Sequence, residues 1–202
     1  MKKEVSKQDI LFYRSCGILD NWHDKELSDF TNDDRALQIV KKYLKNIEDA
    51  FKDGTGIYLF GPNGVGKSLL LNASFVELVR KKYTCRVISM PTLITKYTAG
   101  WSSNEERKSF MQMLQSSQFL GIEELGKGTK TDLGNMVLES VVRYRVQMKK
   151  PIWITTNCPP STIATLYSPD VSSMLKESCI DISVKGGDYR DIIQAKNNEK
   201  YK

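Results

Sequence analysis

Hydrophobic and polar positions alternate along the chain in blocks that predict strands separated by helices. Apolar runs of strand length occur at 57–60, 86–90, 118–122, 151–155 and 179–184. Between them, apolar residues recur every three or four positions, which is the spacing of one helix face. Helices are predicted at 69–82, 92–98, 105–116, 132–149, 161–167 and 170–176. Strands alternating with helices favour an α/β fold of three layers, in which a parallel sheet carries helices on both faces.

The chain before the first strand has two parts. Residues 1–33 are polar with scattered apolar anchors, and we interpret them as an N-terminal arm laid over the domain and as a candidate partner-binding segment. Asn32 or Asp33 can cap a helix whose apolar positions run from Ala36 to Phe51. We predict a domain core at 34–192 and a basic, frayed tail at 193–202.

The first strand leads directly into a phosphate-binding sequence. Residues 61–68 read Gly-Pro-Asn-Gly-Val-Gly-Lys-Ser and fit the pattern G-x-x-x-x-G-K-[ST] at every fixed position. Glycines let the backbone wrap closely around a phosphate, so that consecutive N–H groups and the next helix N-terminus point at one anion. The alternative is a glycine turn with a surface lysine. The predicted strand before the loop and the helix after it favour the phosphate-binding interpretation.

Each part of this loop has a predicted role. Lys67 would place a positive charge beside the β- and γ-phosphates of a nucleotide, and the Ser68 hydroxyl would bind Mg²⁺. The predicted nucleotide-binding set is Gly61, Pro62, Asn63, Gly64, Val65, Gly66, Lys67, Ser68 and Leu69.

Two acidic residues follow the apolar run at 118–122. At the carboxyl end of a neighbouring strand, Glu123 would hold Mg²⁺ and Glu124 would be the base that orients the attacking water. The usual pair is Asp-Glu, and the extra methylene of Glu123 moves its carboxylate outward by about 1.5 Å. Because Mg²⁺ requires tight octahedral geometry, we expect weakened or rearranged metal binding. Two solvated acids at a strand end are the alternative.

A third polar element follows the apolar run at 151–155. Asn157 stands at the tip of this predicted strand, where it could hydrogen-bond the attacking water and the γ-phosphate. The sequence Asn-Cys-Pro-Pro that begins there is also typical of a simple turn.

Together these motifs resemble the AAA+ ATPases, and within them the bacterial replicative-helicase loaders of the DnaC/DnaI type and the related transposition helper ATPases. The resemblance covers about residues 10–192 and rests on motifs at 36–44, 61–68, 122–126, 142–145, 154–157 and 188–190. It implies an AAA+ P-loop fold, here without a large C-terminal lid domain, that hydrolyses ATP with Mg²⁺. It also implies that Lys67 and Glu124 are catalytic, that Asn157 is sensor 1 and that Arg190 is sensor 2.

The resemblance further implies partners. A protein of this kind would bind single-stranded DNA, assemble into a homo-oligomer with ATP, and deliver or remodel a hexameric replicative helicase. Candidate DNA contacts combine lysines with one aromatic residue, as in other single-strand binders, and are Lys96, Trp101, Lys127 and Lys130. An anchoring role that packs its loop down is the alternative for Trp101. So small a loader would suit a phage or a mobile element.

Two departures from the family pattern keep other functions open. No arginine lies between Arg145 and Arg190, so the usual arginine finger is missing unless Lys176 or Arg190 replaces it. The chain also starts almost at the ATPase core, whereas these loaders usually carry a separate N-terminal domain that grips the helicase. The alternatives are a transposition helper ATPase and a non-catalytic ATP-gated adaptor or inhibitor of a host helicase or loader.

Composition adds three expectations. The formal net charge of +6 is compatible with a polyanionic partner and equally with a mildly basic surface. The cysteines at 16, 85, 158 and 179 form no Cys-x₂-Cys pair and His23 is the only histidine, so we expect neither zinc nor Cys-His catalysis. Without a signal-peptide pattern or an apolar run of membrane-spanning length, we expect a cytoplasmic protein with free thiols and no membrane association.

Overall fold

Five parallel strands form one sheet at the centre of the molecule. The computed structural model describes residues 6–99, 103–126 and 131–201. The strands are β1 (Gly56–Phe60), β2 (Cys85–Ser89), β3 (Phe119–Leu125), β4 (Ile152–Thr156) and β5 (Cys179–Ser183). Their order across the sheet is β2-β3-β4-β1-β5. All neighbouring pairs are parallel, so the carboxyl ends of the strands meet at one edge, where β1 lies between β4 and β5.

Helices fill the connections between these strands. In the described ranges they are α1 (Lys7–Ser15), α2 (Asp34–Lys45), α3 (Ile47–Asp53), α4 (Lys67–Arg80), α5 (Met90–Ala99), α6 (Asn104–Ser116), α7 (Asp132–Gln147), α8 (Pro160–Leu166), α9 (Pro169–Ser178) and α10 (Tyr189–Tyr201). Two short 3₁₀ turns, Asp20–Trp22 and Leu27–Asp29, lie in the arm. No helix of the described ranges combines the length and the apolar character needed to cross a bilayer.

The sheet separates two hydrophobic clusters. Along β1, Ile57 and Leu59 face the cluster that includes α2 and α4, whereas Tyr58 faces the cluster built with α5 to α9. The alternation arises because successive side chains of a strand point to opposite faces of the sheet. The predicted three-layer α/β fold with helices on both faces is therefore confirmed.

The N-terminal arm closes one edge of this sheet. The Val87 N–H in β2 donates a hydrogen bond to the Cys16 carbonyl at 2.7 Å. Only glycine fits at position 17, because its φ is +79° and a Cβ there would lie 2.1 Å from the Val87 oxygen. Ile18 and Phe30 are buried in the cluster shared with α4. The arm therefore caps an otherwise unpaired sheet edge.

One helix differs from the predicted one. The helix predicted from Ala36 to Phe51 is interrupted at Asn46, whose side chain donates to the Lys42 carbonyl at 2.9 Å and ends α2. At the other end of the chain, α10 includes residue 192, and the division into a core at 34–192 and a tail at 193–202 stays a prediction.

Candidate nucleotide-binding site

The loop after β1 wraps around the first turn of α4. Gly61, Gly64 and Gly66 all have positive φ, and Gly66 is the N-cap of α4 with φ +97°. A Cβ at Gly66 would lie 2.8 Å from the Phe30 ring, so a side chain would be both strained and crowded there. No side chain caps α4, and its first N–H groups are therefore oriented to bind an anion.

Lys67 connects this loop to the end of β4. Its Nζ donates to the carbonyl oxygens of Gly61 at 2.8 Å and Pro62 at 2.6 Å, and to Asn157 Oδ1 at 2.9 Å. Asn157 in turn donates from Nδ2 to Asn63 Oδ1 at 2.8 Å. The structure thus brings together the lysine and the asparagine that the sequence placed 90 residues apart.

The acidic pair lies within β3 rather than after it, at a bulge. The register with β4 moves from Ile122 opposite Ile154 to Leu125 opposite Thr156, which leaves one extra residue in β3. Glu124 adopts a left-handed φ of +60°, and its N–H donates to the Thr155 hydroxyl at 3.3 Å. A bulge changes the direction of side chains that would otherwise alternate between faces, and here it does so at the edge that carries the phosphate loop.

Glu123 lies beside the start of α4. Its Oε1 accepts a hydrogen bond from Asn72 Nδ2 at 3.2 Å, and its carboxylate also interacts with the Ser68 hydroxyl. Burial raises the pKa of Glu123, and the neighbouring Glu124 charge raises it further, although the two hydrogen bonds act in the opposite direction. The predicted proximity of Ser68 and Glu123 is therefore present in the fold.

These two oxygen groups fit a hard cation such as Mg²⁺. Magnesium commonly uses one or two protein oxygens and completes its shell with waters and substrate phosphates. The described residues contain no cluster of three or more His, Cys, Asp or Glu that could hold a metal ion.

A cavity of about 540 Å³ opens at the loop. Glu124, Asn157 and Arg190 line it, together with most of the helix start. The arm also lines the cavity with Trp22, Lys25 and Asp29, for which the sequence predicted no role in this site. Trp22 is one of the scattered apolar residues of the 1–33 arm, and nothing local in the sequence links it to the phosphate loop.

The arm, the loop and the start of α10 are joined by hydrogen bonds. Asn32 Nδ2 donates to the carbonyls of Val65 at 3.3 Å and Gly187 at 2.7 Å. The Tyr189 N–H donates to the Gly64 carbonyl at 3.0 Å, and the Tyr189 hydroxyl accepts from the Thr31 N–H at 2.7 Å. The cavity therefore combines the arm, the phosphate loop and the start of α10 with the ends of β3 and β4, which are remote from one another in sequence.

The structure describes one of the four predicted DNA contacts. Lys96 is exposed on α5. Trp101, Lys127 and Lys130 lie outside the described residues.

The fold of this chain is that of the AAA+ class of P-loop NTPases. The order of the strands, the loop after β1 and the polar ends of β3 and β4 all agree with this class. In sequence the chain is similar to the replicative helicase loader DnaI of Bacillus subtilis (strain 168), with 24% identity over 128 residues. The matched region is 63% of this chain and 40% of the DnaI length, so the chain spans less than half of this curated relative. Comparison with protein-family models gives no match.

Solved structures agree with this class. The crystal structure of the DnaC helicase loader matches with a TM-score of 0.73 and 20% identity, over 83% of this chain and 100% of that one. The replication initiator DnaA bound to AMPPCP and single-stranded DNA matches with a TM-score of 0.70 and 18% identity, over 90% of this chain and 56% of that one. The predicted AAA+ fold is confirmed, as is the predicted resemblance to loaders of the DnaC/DnaI type.

Proposed function

We propose that this chain binds Mg²⁺-ATP in the cavity and uses it to deliver or remodel a replicative DNA helicase during DNA replication. One observation carries the nucleotide part: Lys67, Asn157 and the Ser68–Glu123 pair converge on one phosphate loop. The similarity to DnaI supports the loader part. The AMPPCP-bound DnaA neighbour supports the choice of an adenine nucleotide.

The chain's own groups divide the work as follows. The N–H groups of the loop and of the first turn of α4 bind the phosphates, and Lys67 adds positive charge next to them. Ser68 and Glu123 hold Mg²⁺, which supplies charge neutralisation at the phosphates when bound. Glu124 accepts a proton from the attacking water, and Asn157 orients that water.

The arm recognises the nucleoside in this proposal. Trp22 is half-buried and lines the cavity, and we propose that its ring packs against the base. Tyr189 is another lining aromatic residue and is anchored to the arm through its hydroxyl. Nucleotide binding would therefore involve the arm as well as the loop.

Hydrolysis is proposed to be slow in the isolated protein. An arginine finger accelerates phosphoryl transfer by about 10³–10⁵-fold, and the chain has no arginine between Arg145 and Arg190. Lys176 is exposed in the last turn of α9, and we propose that either it or Arg190 takes this role in a homo-oligomer. Lys96, Trp101, Lys127 and Lys130 remain the proposed contacts to single-stranded DNA.

Nucleotide binding is tested by titrating a fluorescent ATP analogue into the wild type and into Lys67→Ala. Loss of a buried ammonium that contacts phosphate should weaken binding by about 100-fold or more. Lys45→Ala is the matched control, because Lys45 is an exposed lysine of α2. Equal affinity of the wild type and Lys67→Ala would contradict the proposed site.

The loader role is tested by mixing the protein with the replicative helicase of its own host. Light scattering should show a complex in the presence of ATP, and single-stranded DNA should change ATP turnover. Absence of a complex with or without ATP would contradict the loader function.

The missing arginine and Glu123 favour one second candidate, an ATP-gated adaptor or inhibitor without catalysis. In that case the protein would bind ATP with negligible turnover, and Glu124→Gln would leave the turnover unchanged.

A further inference from the structure

Asn72 is a buried polar residue on the side of α4 that faces the acidic pair. Its side chain is almost completely buried, with 1% of its surface exposed. Its Nδ2 donates two hydrogen bonds, to the Ser68 carbonyl at 2.9 Å and to Glu123 Oε1 at 3.2 Å. One amide group thus bridges the two residues that are proposed to hold Mg²⁺.

The other half of this amide is unsatisfied. Asn72 Oδ1 is buried and has no hydrogen-bond partner within the described residues. A buried acceptor without a partner costs free energy, which an apolar residue of similar volume would avoid. Ser74, which is also buried on α4, shows the usual solution, because its hydroxyl donates to the Leu70 carbonyl at 2.7 Å.

Packing alone therefore does not explain Asn72, whereas its bond to Glu123 does. Glutamate has one more rotatable bond than aspartate, and its carboxylate lies about 1.5 Å further from the backbone. Left free, such a side chain would sample several rotamers at the position where a cation has to be bound. A donor fixed in the interior of α4 restrains the carboxylate next to Ser68.

We infer that Asn72 is the positioning residue that allows Glu123 to take the place of an aspartate in the Mg²⁺ site. The inference rests on the proposed nucleotide site and adds to it a residue outside the phosphate-loop and acidic motifs. Asn72 acts through Glu123 and needs no contact with the nucleotide.

The test measures the affinity of a fluorescent ATP analogue twice, once with Mg²⁺ and once with EDTA. The dissociation constant in EDTA divided by the dissociation constant in Mg²⁺ gives the contribution of the cation without reference to turnover. Asn72→Leu should reduce this ratio by about tenfold, the value of one charge-assisted hydrogen bond, and leave the affinity in EDTA unchanged. Ser74→Ala is the matched control on the same helix and should change neither value.

A rescue separates positioning from packing. In the Asn72→Leu background, Glu123→Asp should restore most of the lost ratio, because the shorter side chain needs no restraint. Asn72→Ala is measured in the same way, so that the test does not depend on one substitution that fails to fold. Circular dichroism of each variant verifies folding.

The outcomes distinguish the two hypotheses. A wild type whose affinity is the same in Mg²⁺ and EDTA would overturn the proposed magnesium site and this inference with it. If both Asn72 variants keep the ratio of the wild type, the inference about Asn72 is overturned and the proposed magnesium site is not. A loss that Glu123→Asp does not restore would assign Asn72 to packing and also overturn the inference.

Discussion

Glu124 combines an unfavourable backbone conformation with a place in the cavity. Its φ of +60° is uncommon for a residue with a Cβ, and a left-handed conformation costs an L-residue about 1–2 kcal/mol. The N–H that the bulge removes from the strand ladder is satisfied by the Thr155 hydroxyl. Strain of this kind persists where the surroundings hold it, and it is concentrated at functional sites.

Replacing Glu124 by glycine should therefore separate stability from activity. Glu124→Gly relieves the left-handed strain and should raise the free energy of unfolding by about 0.5–1 kcal/mol, after the entropy of glycine is subtracted. If Glu124 is the base, ATP turnover should fall by about 10²–10⁴-fold. Urea unfolding and a phosphate-release assay measure the two effects.

Glu124→Gln is the control, because it removes the carboxylate and keeps the strained backbone. It should lose turnover as Glu124→Gly does and gain no stability. A stability gain in both variants would mean that charge, rather than backbone strain, destabilises this position.

Asp33 should make stability depend on pH. Burial alone would raise the pKa of Asp33, but hydrogen bonds from the backbone N–H groups of Ala36 and Lys185, together with Arg35, lower it below its ordinary value of 3.8. Since the pKa of Asp33 is lower in the folded state, its stabilisation is complete above the pKa of the unfolded state. The stabilisation is lost as the pH falls through the pKa of the folded state.

Asp33→Asn keeps an N-cap for α2 but presents only one acceptor for the two N–H groups. We expect it to be less stable than the wild type by about 1 kcal/mol at pH 7, with a smaller difference at pH 3. Urea unfolding at both pH values measures this. Asp34→Asn removes the same charge from an exposed neighbour and should stay within about 0.5 kcal/mol of the wild type at pH 7. A constant difference for Asp33→Asn would contradict the linkage.

At the scale of elements, one buried arginine connects the helical layer to the sheet. Arg145 is completely buried in α7, and burial lowers its pKa to about 10, so it remains charged at neutral pH. Its guanidinium donates to the carbonyl oxygens of Leu114, Ser117, Gln118, Lys150 and Pro151. These carbonyls belong to the end of α6 and to the segments that enter β3 and β4.

Arg145→Met should be strongly destabilising because several buried carbonyls lose their donor together. We expect a loss of about 3–5 kcal/mol in the free energy of unfolding, measured by urea denaturation. Arg143→Met is the matched control on the same helix, since the ion pairs of Arg143 with Glu139 and Asp170 lie at the surface. The control should cost about 1 kcal/mol or less. Similar losses in both variants would show that Arg145 does not connect the elements as described.

At the scale of the whole molecule, one asparagine joins three of the segments that form the cavity. Asn32 of the arm holds the phosphate loop through Val65 and the segment before α10 through Gly187. A ligand that binds the folded cavity must therefore stabilise the arm, the loop and α10 together.

Asn32→Ala should weaken nucleotide binding although Asn32 does not line the cavity. Loss of both bonds leaves the loop less preorganised, and we expect an affinity decrease of about five- to tenfold. Titration of the fluorescent ATP analogue measures this. Asn46→Ala removes a side chain–backbone bond that lies within the last turn of α2, and it should leave the affinity unchanged. Unchanged affinity in Asn32→Ala would mean that the arm does not organise the loop.

The predictable part of the site consists of local motifs at strand ends. Lys67, Glu123 and Asn157 each follow an apolar run, and parallel strands bring their carboxyl ends to one edge, so their proximity followed from the fold class. Trp22 and Asn72 gave no such signal. A tryptophan in a polar arm and an asparagine inside a helix acquire a role only through residues that are distant in sequence.

The amino-acid sequence by itself determined the α/β layers and the phosphate loop, because periodicity and glycine spacing act over a few residues. Only the tertiary structure decided that the arm closes the sheet edge and lines the cavity, that a bulge turns Glu124, and that α4 supplies a donor to Glu123. Those features depend on which segments meet across the sheet. Their contacts are set by packing between elements, and short-range patterns do not encode them.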